Sequence, residues 1–194
     1  RQNRSGTVAS ETFGALSFAQ GANTVTASIS LGSNNFSSLD LTFGALTRSA
    51  GATVNFAGNT LGQQGNGSRI VFSSTPALVG RGLLGAWAVA NSTDYAGYSA
   101  GQGVGVVGQG GFAGYVAQNI STAATAPLPG VFASGSLTNI VSLAASSVQL
   151  PAGTTNTALL RIGGGFTTDV LFSVGSDVLN LELGGILRSD NNNA

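Results

Sequence analysis

Thr12-Phe13-Gly14-Ala15-Leu16, TFGAL, returns unchanged at residues 42–46, thirty positions later. The surroundings return with it. Gly21-Ala22-Asn23-Thr24-Val25 lies nine residues past the first Thr, and Gly51-Ala52-Thr53-Val54 lies nine past the second. A third echo, LELGGILRS at residues 181–189, aligns without a gap on LTFGALTRS at residues 41–49 and keeps Leu, Gly, Arg and Ser. Self-similarity at a period of some tens of residues points to stacked units, each unable to bury its apolar face alone.

The composition narrows what such a stack is for. Seven Arg face seven Asp and Glu, with no Lys and no His, and charged residues make up 7% of the 194, against about a quarter in an ordinary domain. Nucleic-acid binding needs clustered cations, and these seven Arg are scattered, so no nucleic-acid partner is expected. The 42% of hydrophobic residues is enough to fold and argues against disorder. Thirty Gly and four Pro, with Thr, Ser and Asn between them, describe short strands and tight turns. No disulfide or cysteine-held zinc is available, because the chain has no Cys, and the commonest general base and metal ligand is missing with His. No apolar run reaches the eighteen residues of a transmembrane helix. The opening RQNRSGTVAS has no apolar core of a signal peptide, so Arg1 reads as a processed or internal start.

Periodicity of two is clearest where Leu179, Leu181 and Leu183 alternate with Asn180 and Glu182, in a strand expected over residues 177–183. Val170, Phe172 and Val174 alternate likewise, as do Leu39, Leu41 and Phe43, and each strand meets a glycine: Gly184, Gly175 and Gly44. Further strands are expected at 24–30, 53–57, 70–73, 83–90, 111–117, 137–143, 147–150 and 158–162. This spacing of about ten residues suits an all-β fold, and no helical spacing persists. A β-sandwich or jelly roll has no need of a recurring word, whereas a parallel β-helix, or β-solenoid, stacks equivalent positions on successive coils. The repeat therefore favours the β-helix, with coils on the order of 30 residues. At about 4.8 Å per strand, roughly six to nine coils would give a rod on the order of 30 to 45 Å long, ending in open sheet edges. Residues 58–68 and 97–111 look the most flexible, and AATAPLP at 123–129 suggests a bend inside a single 1–194 solenoid domain.

Several stretches invite a chemical reading. Gly103, Gly105 and Gly108 satisfy G-x-G-x-x-G, but Gln109-Gly110-Gly111 is hostile to the helix a dinucleotide site needs, and no carboxylate follows before Asp169. The run reads as strand and turn. The carboxylates Glu11, Asp40, Asp94, Asp169, Asp177, Glu182 and Asp190 are sparse, and Asp177 and Glu182 fall on opposite faces of a regular strand. Glycan cleavage by convergent acids thus has little to draw on. Trp87, Tyr95 and Tyr98 are the one aromatic group with polar handles; they read first as core and capping residues, and second as a sugar-stacking platform. Asp190-Asn191-Asn192-Asn193 lacks a calcium-loop pattern, and no metal or cofactor is expected. The five N-x-S/T sites follow from the abundance of Asn, Ser and Thr.

The words TFGALxxxxGAxTV, TRSAGATVNFAGNTLG, LLGAWAVANSTDYAGY and LNLELGGILRSDN together resemble the autotransporter-associated β-strand-repeat proteins of bacterial surfaces. The likeness is strongest over residues 12–98 and 137–190. It implies a parallel β-helix exported to the cell exterior and carries over no catalytic residue; with no outer-membrane barrel among these 194 residues, the expectation is a fragment of a passenger or a unit retained outside by other contacts. The expectation is a non-enzymatic structural protein, a β-solenoid subunit that stacks head to tail on copies of itself as an extracellular fibre or surface layer. An adhesin or passenger segment binding cell-surface glycan through Trp87, Tyr95 and Tyr98 is the second reading, and a polysaccharide-cleaving β-helix enzyme the third.

Overall fold

The computed structural model describes residues 8–29, 38–63, 67–114, 117–120, 140–143, 147–150, 152–163 and 169–189. The protein is all-β, and its described residues stack parallel coils as a β-solenoid of about four turns. Two compact units divide it, Arg1–Leu78 with Gly82–Ala113 and Val79–Arg81 with Gly114–Ala194.

In the first unit, one coil runs through β1 (Val8–Thr12), β2 (Leu16–Phe18) and β3 (Ala22–Ala27), and the next through β4 (Ser38–Phe43), β5 (Leu46–Arg48) and β6 (Thr53–Gly58). β1, β2 and β3 pair in parallel with β4, β5 and β6, setting Thr12 against Thr42 and Leu16 against Leu46. The repeated word therefore stacks on itself. Its glycine sits at a corner that the ladder crosses without a gap: the Phe13 amide donates to the Thr42 carbonyl (2.8 Å), Gly44 to Gly14 (3.0 Å) and Leu16 to Ala45 (2.8 Å). The second word marks the next corner, where Gly21 (φ 70°) and Gly51 (φ 84°) occupy the left-handed region that side chains resist.

β7 (Ser68–Phe72) extends the first sheet and β8 (Ala88–Ala90) the third. Alternation decides which side chains enter the core. Ser68, Ile70 and Phe72 are buried while Arg69 and Val71 between them are half-buried. Phe13, Phe43 and Phe72 form a row with centroids 5.1 and 6.1 Å apart, and Phe56 meets Phe18 and Phe72 edge-on at 6.2 and 6.4 Å. Each fully buried phenyl ring contributes about 1.5–3 kcal/mol of transfer free energy, so the buried Phe18, Phe56 and Phe72 are a principal source of the unit's stability.

The parallel stack then changes character. β8 turns at Asn91 and Ser92, both at positive φ, into β9 (Asp94–Ser99), which pairs antiparallel with β8 and with β10 (Gly103–Val106). The side chain of Asn55 clasps the turn, accepting from the Ser92 amide and donating to its hydroxyl, both at 2.8 Å. Only Ala88–Ala90 of the strand expected at 83–90 forms, because Gly85 (φ 127°) turns the chain around the Trp87 ring; Leu83 makes a single antiparallel bridge to Gly97. The expected strand at 111–117 is also displaced. Gly108 and Gly111 both sit at positive φ, and the strand starts at Ala117.

The second unit holds β11 (Ala117–Ile120), β12 (Ile140–Leu143), β13 (Ser147–Gln149), β14 (Thr154–Gly163), β15 (Asp169–Leu171) and β16 (Val178–Ser189). One parallel sheet has the order β11-β12-β14-β16 and a second pairs β13 with β15. Its coils are shorter: Ile140 pairs with Leu159, Ser147 with Asp169 and Thr154 with Val178, offsets of nineteen, twenty-two and twenty-four residues. The expected strand at 170–174 stops at Leu171, leaving Phe172 and Val174 exposed in the turn. Gly184 does not end a strand as anticipated. It lies inside β16 at φ 72°, where the register slips between Thr157 and Leu159 of β14, and so bends a continuous strand. The suggested bend at 123–129, Asp190 to Asn193, and the start of the strand expected at 137 lie outside the described residues.

Candidate functional site

Tyr98 continues the aromatic row, its ring 5.7 Å from that of Phe72. The Phe72 amide donates to the Tyr98 hydroxyl, and the hydroxyl donates to the Phe72 carbonyl, each at 3.1 Å. Phe72 lies on β7, the last strand of its sheet, so one side chain supplies the partners that a further strand would have offered. Gly103 covers the same strand more closely still. At φ 79°, its backbone lies so near the Ile70 carbonyl that any Cβ would collide with it. Beside it, the Phe112 ring fills the space over Gly105 and Gly97, and the Arg69 guanidinium reaches the Gly101 carbonyl at 3.2 Å.

This arrangement accounts for the G-x-G-x-x-G run. Gly103 and Gly105 belong to a buried strand where backbone and an aromatic ring exclude side chains, and no helix follows. The apparent flexibility of 97–111 is corrected in the same way: residues 97–99 and 103–106 are paired strand. In the other glycine-rich stretch Leu61 is 1% exposed, and Gln109 holds its carbonyl at 2.9 Å.

The three aromatics of the platform reading go to different places. Tyr95 and Tyr98 are 1% and 6% exposed. Trp87 is half-buried against the core with the Arg48 guanidinium 5.2 Å from its ring centre. No exposed face is shared by all three, and the two tyrosines take the core and capping roles that the first reading assigned them.

Among the carboxylates, Asp40 on β4 pairs with Arg69 on β7, through a 2.7 Å bond from Nε to Oδ1 and a second contact from the guanidinium to Oδ2. That bond and its charge raise the Arg69 pKa against the opposing effect of burial. Asp177 binds backbone instead. Its carboxylate accepts from the amides of Gly153 (2.7 Å) and Val174 (2.8 Å), holding a turn on the one below, and these bonds lower its pKa. Among the described residues no three acidic, His or Cys side chains gather as a metal site, and no helix is long and apolar enough to cross a membrane.

The features left without an internal role are the open edges. β1 is the first strand of its sheet, and there the row Phe72–Phe43–Phe13 runs out to solvent: Phe72 is buried, Phe43 half-buried and Phe13 49% exposed. β16 ends its own sheet in the same manner. Leu160 on β14 is 1% exposed while its ladder partner Ile186 is 59% exposed. Leu179, Leu181, Leu183 and Leu187 on β16 are only half-buried, and Val178 is exposed. The stacked-coil reading implies open ends, but the cap formed by Tyr98, Gly103 and Phe112 has no signal in the sequence beyond a cluster of Gly. The class defined by these observations is a β-solenoid with one covered ladder edge and apolar rows exposed at β1 and β16. No family model, curated protein or solved structure matches the chain.

Proposed function

We propose that the protein is a structural component of the bacterial cell exterior, a non-enzymatic β-solenoid subunit that assembles with copies of itself into a fibre or surface layer. The observation that carries this reading is the pair of apolar rows reaching solvent at Phe13, just past β1, and at Ile186 on β16, two strands with no partner along one side among the described residues. Such an edge templates strand addition unless charge or covering prevents it. β1 carries one charged side chain, Glu11, and β16 carries two, Glu182 and Arg188. Head-to-tail addition that does not close on itself propagates into a filament.

Exterior placement rests on the resemblance of the repeated words to autotransporter-associated β-strand-repeat proteins. Negative-stain electron microscopy and light scattering of the purified protein test the assembly, and immunogold labelling of intact producing cells tests the location. Fibres or sheets at the surface are the expected result. Dispersed monomers at high concentration, or gold confined to the cell interior, would overturn the corresponding half of the proposal.

A further inference from the structure

We infer that β16 of one molecule docks on β1 of a second copy in the register of the internal repeat, placing Leu183 on Phe13 and Ile186 on Leu16. This rests on the proposed assembly and specifies its contact. Inside the chain, ETFGAL at residues 11–16 receives LTFGAL at 41–46, with corner glycine on corner glycine and Phe13 stacked on Phe43. The second edge of β1 has no partner strand among the described residues. LELGGI at 181–186 aligns without a gap on LTFGAL, keeping its Leu and Gly, and it lies on an edge strand whose Gly184 takes a φ of 72°, outside the range of Gly14 and Gly44. Laid on the free edge of β1, it repeats the internal pattern: Glu182 over Thr12, Leu183 over Phe13, Gly184 over Gly14, Ile186 over Leu16. The occupant is a second copy of this chain because the edge that needs covering and the strand that matches it belong to one sequence. Phe13 and Ile186, two of the large apolar residues exposed at these edges beside Val8 and Val178, are covered in this register.

The lack of native Cys makes the register directly measurable. Neighbouring strands lie about 4.8 Å apart, within the reach of a disulfide, whereas a pair displaced by two residues along the strand exceeds it. Thr12→Cys and Glu182→Cys are made in separate chains of different tagged mass, mixed under assembly conditions and oxidised. The expected product is the mixed dimer, at least tenfold above that from Ser10→Cys mixed with Glu182→Cys. A second pair in the same register, Ser17→Cys with Leu187→Cys, reads the same contact if either first variant folds poorly. Fibres that cross-link equally in the displaced pair, or chiefly as Thr12→Cys with itself, would overturn this register and leave the proposed assembly standing. A wild-type chain that forms no assemblies would overturn both.

Discussion

The Tyr98 hydroxyl sits 3.1 Å from both the amide nitrogen and the carbonyl oxygen of Phe72, closing the edge of β7 with a side chain in place of a strand. Tyr98→Phe keeps the ring in its row and removes both bonds. A buried backbone pair left without partners costs about 1–3 kcal/mol, so chemical denaturation should show a loss of that size, and the Phe72 amide should exchange hydrogen faster. An unchanged exchange rate at Phe72 would show that the hydroxyl does not cap the strand.

Gly103 tests the closeness of the same cap. An Ala there must adopt φ near 79° and push its Cβ into the Ile70 carbonyl. Strain in the left-handed region alone is of order 1–3 kcal/mol, and the collision adds to it. Gly103→Ala should therefore destabilise the first unit by at least about 2 kcal/mol, while Gly101→Ala, where a Cβ meets open space, should change the melting temperature little.

Acid should loosen the second unit at one turn. Asp177 binds two amides as a carboxylate, and these bonds hold its pKa below the ordinary aspartate value of 3.8. A depressed acid stabilises the fold above its unfolded pKa, and the contribution disappears as pH falls through the folded one. Wild-type stability should therefore drop on passing from pH 5 to below 3.8, and Asp177→Asn should show less of that drop. Parallel acid titrations of the two proteins by circular dichroism would refute the assignment if their slopes coincide.

The Asp40 and Arg69 pair is half-buried across β4 and β7, with side chains 15% and 25% exposed. A double-mutant cycle with Asp40→Asn and Arg69→Gln should return a coupling of about 1 kcal/mol, reduced by salt because the pair remains within reach of solvent. Coupling near zero at low salt would make the pair a surface feature with no share in holding the coils.

At the open edge, Ile186→Lys places a charge in the row that assembly would bury. Assembly should be lost, with the monomer's stability within about 0.5 kcal/mol of wild type, as for other exposed substitutions. Sedimentation and thermal melts read the two quantities separately, and fibres persisting at wild-type yield would count against burial of Ile186.

The sequence alone was most legible where side chains repeat. TFGAL at a spacing of thirty marked both the coil length and the residues in register, because Phe13 and Phe43 must face alike to stack. In the second unit the coils shorten and no word recurs between β12 and β14, so periodicity identified strands there without their partners. The glycine-rich strand β10 is illegible in the sequence for a different reason. A buried strand is ordinarily recognised by its side chains, and here Gly103 and Gly105 leave room for Ile70 and Phe112, so the evidence of burial lies on residues distant in sequence. Tyr95 and Tyr98 stood out as aromatic, but exposure and burial look the same in a sequence; the row ending at Tyr98 separated them.

The thirty-residue register between β1 and β4 also governs how such a chain can vary. Duplicating residues 13–42 would insert one complete rung, about 4.8 Å of added height, and every neighbouring ladder would find an equivalent partner. Inserting a single residue inside β4 would instead turn its inward side chains to the opposite face. Height is thus an inherited variable that changes freely in whole rungs and hardly at all in fractions of one.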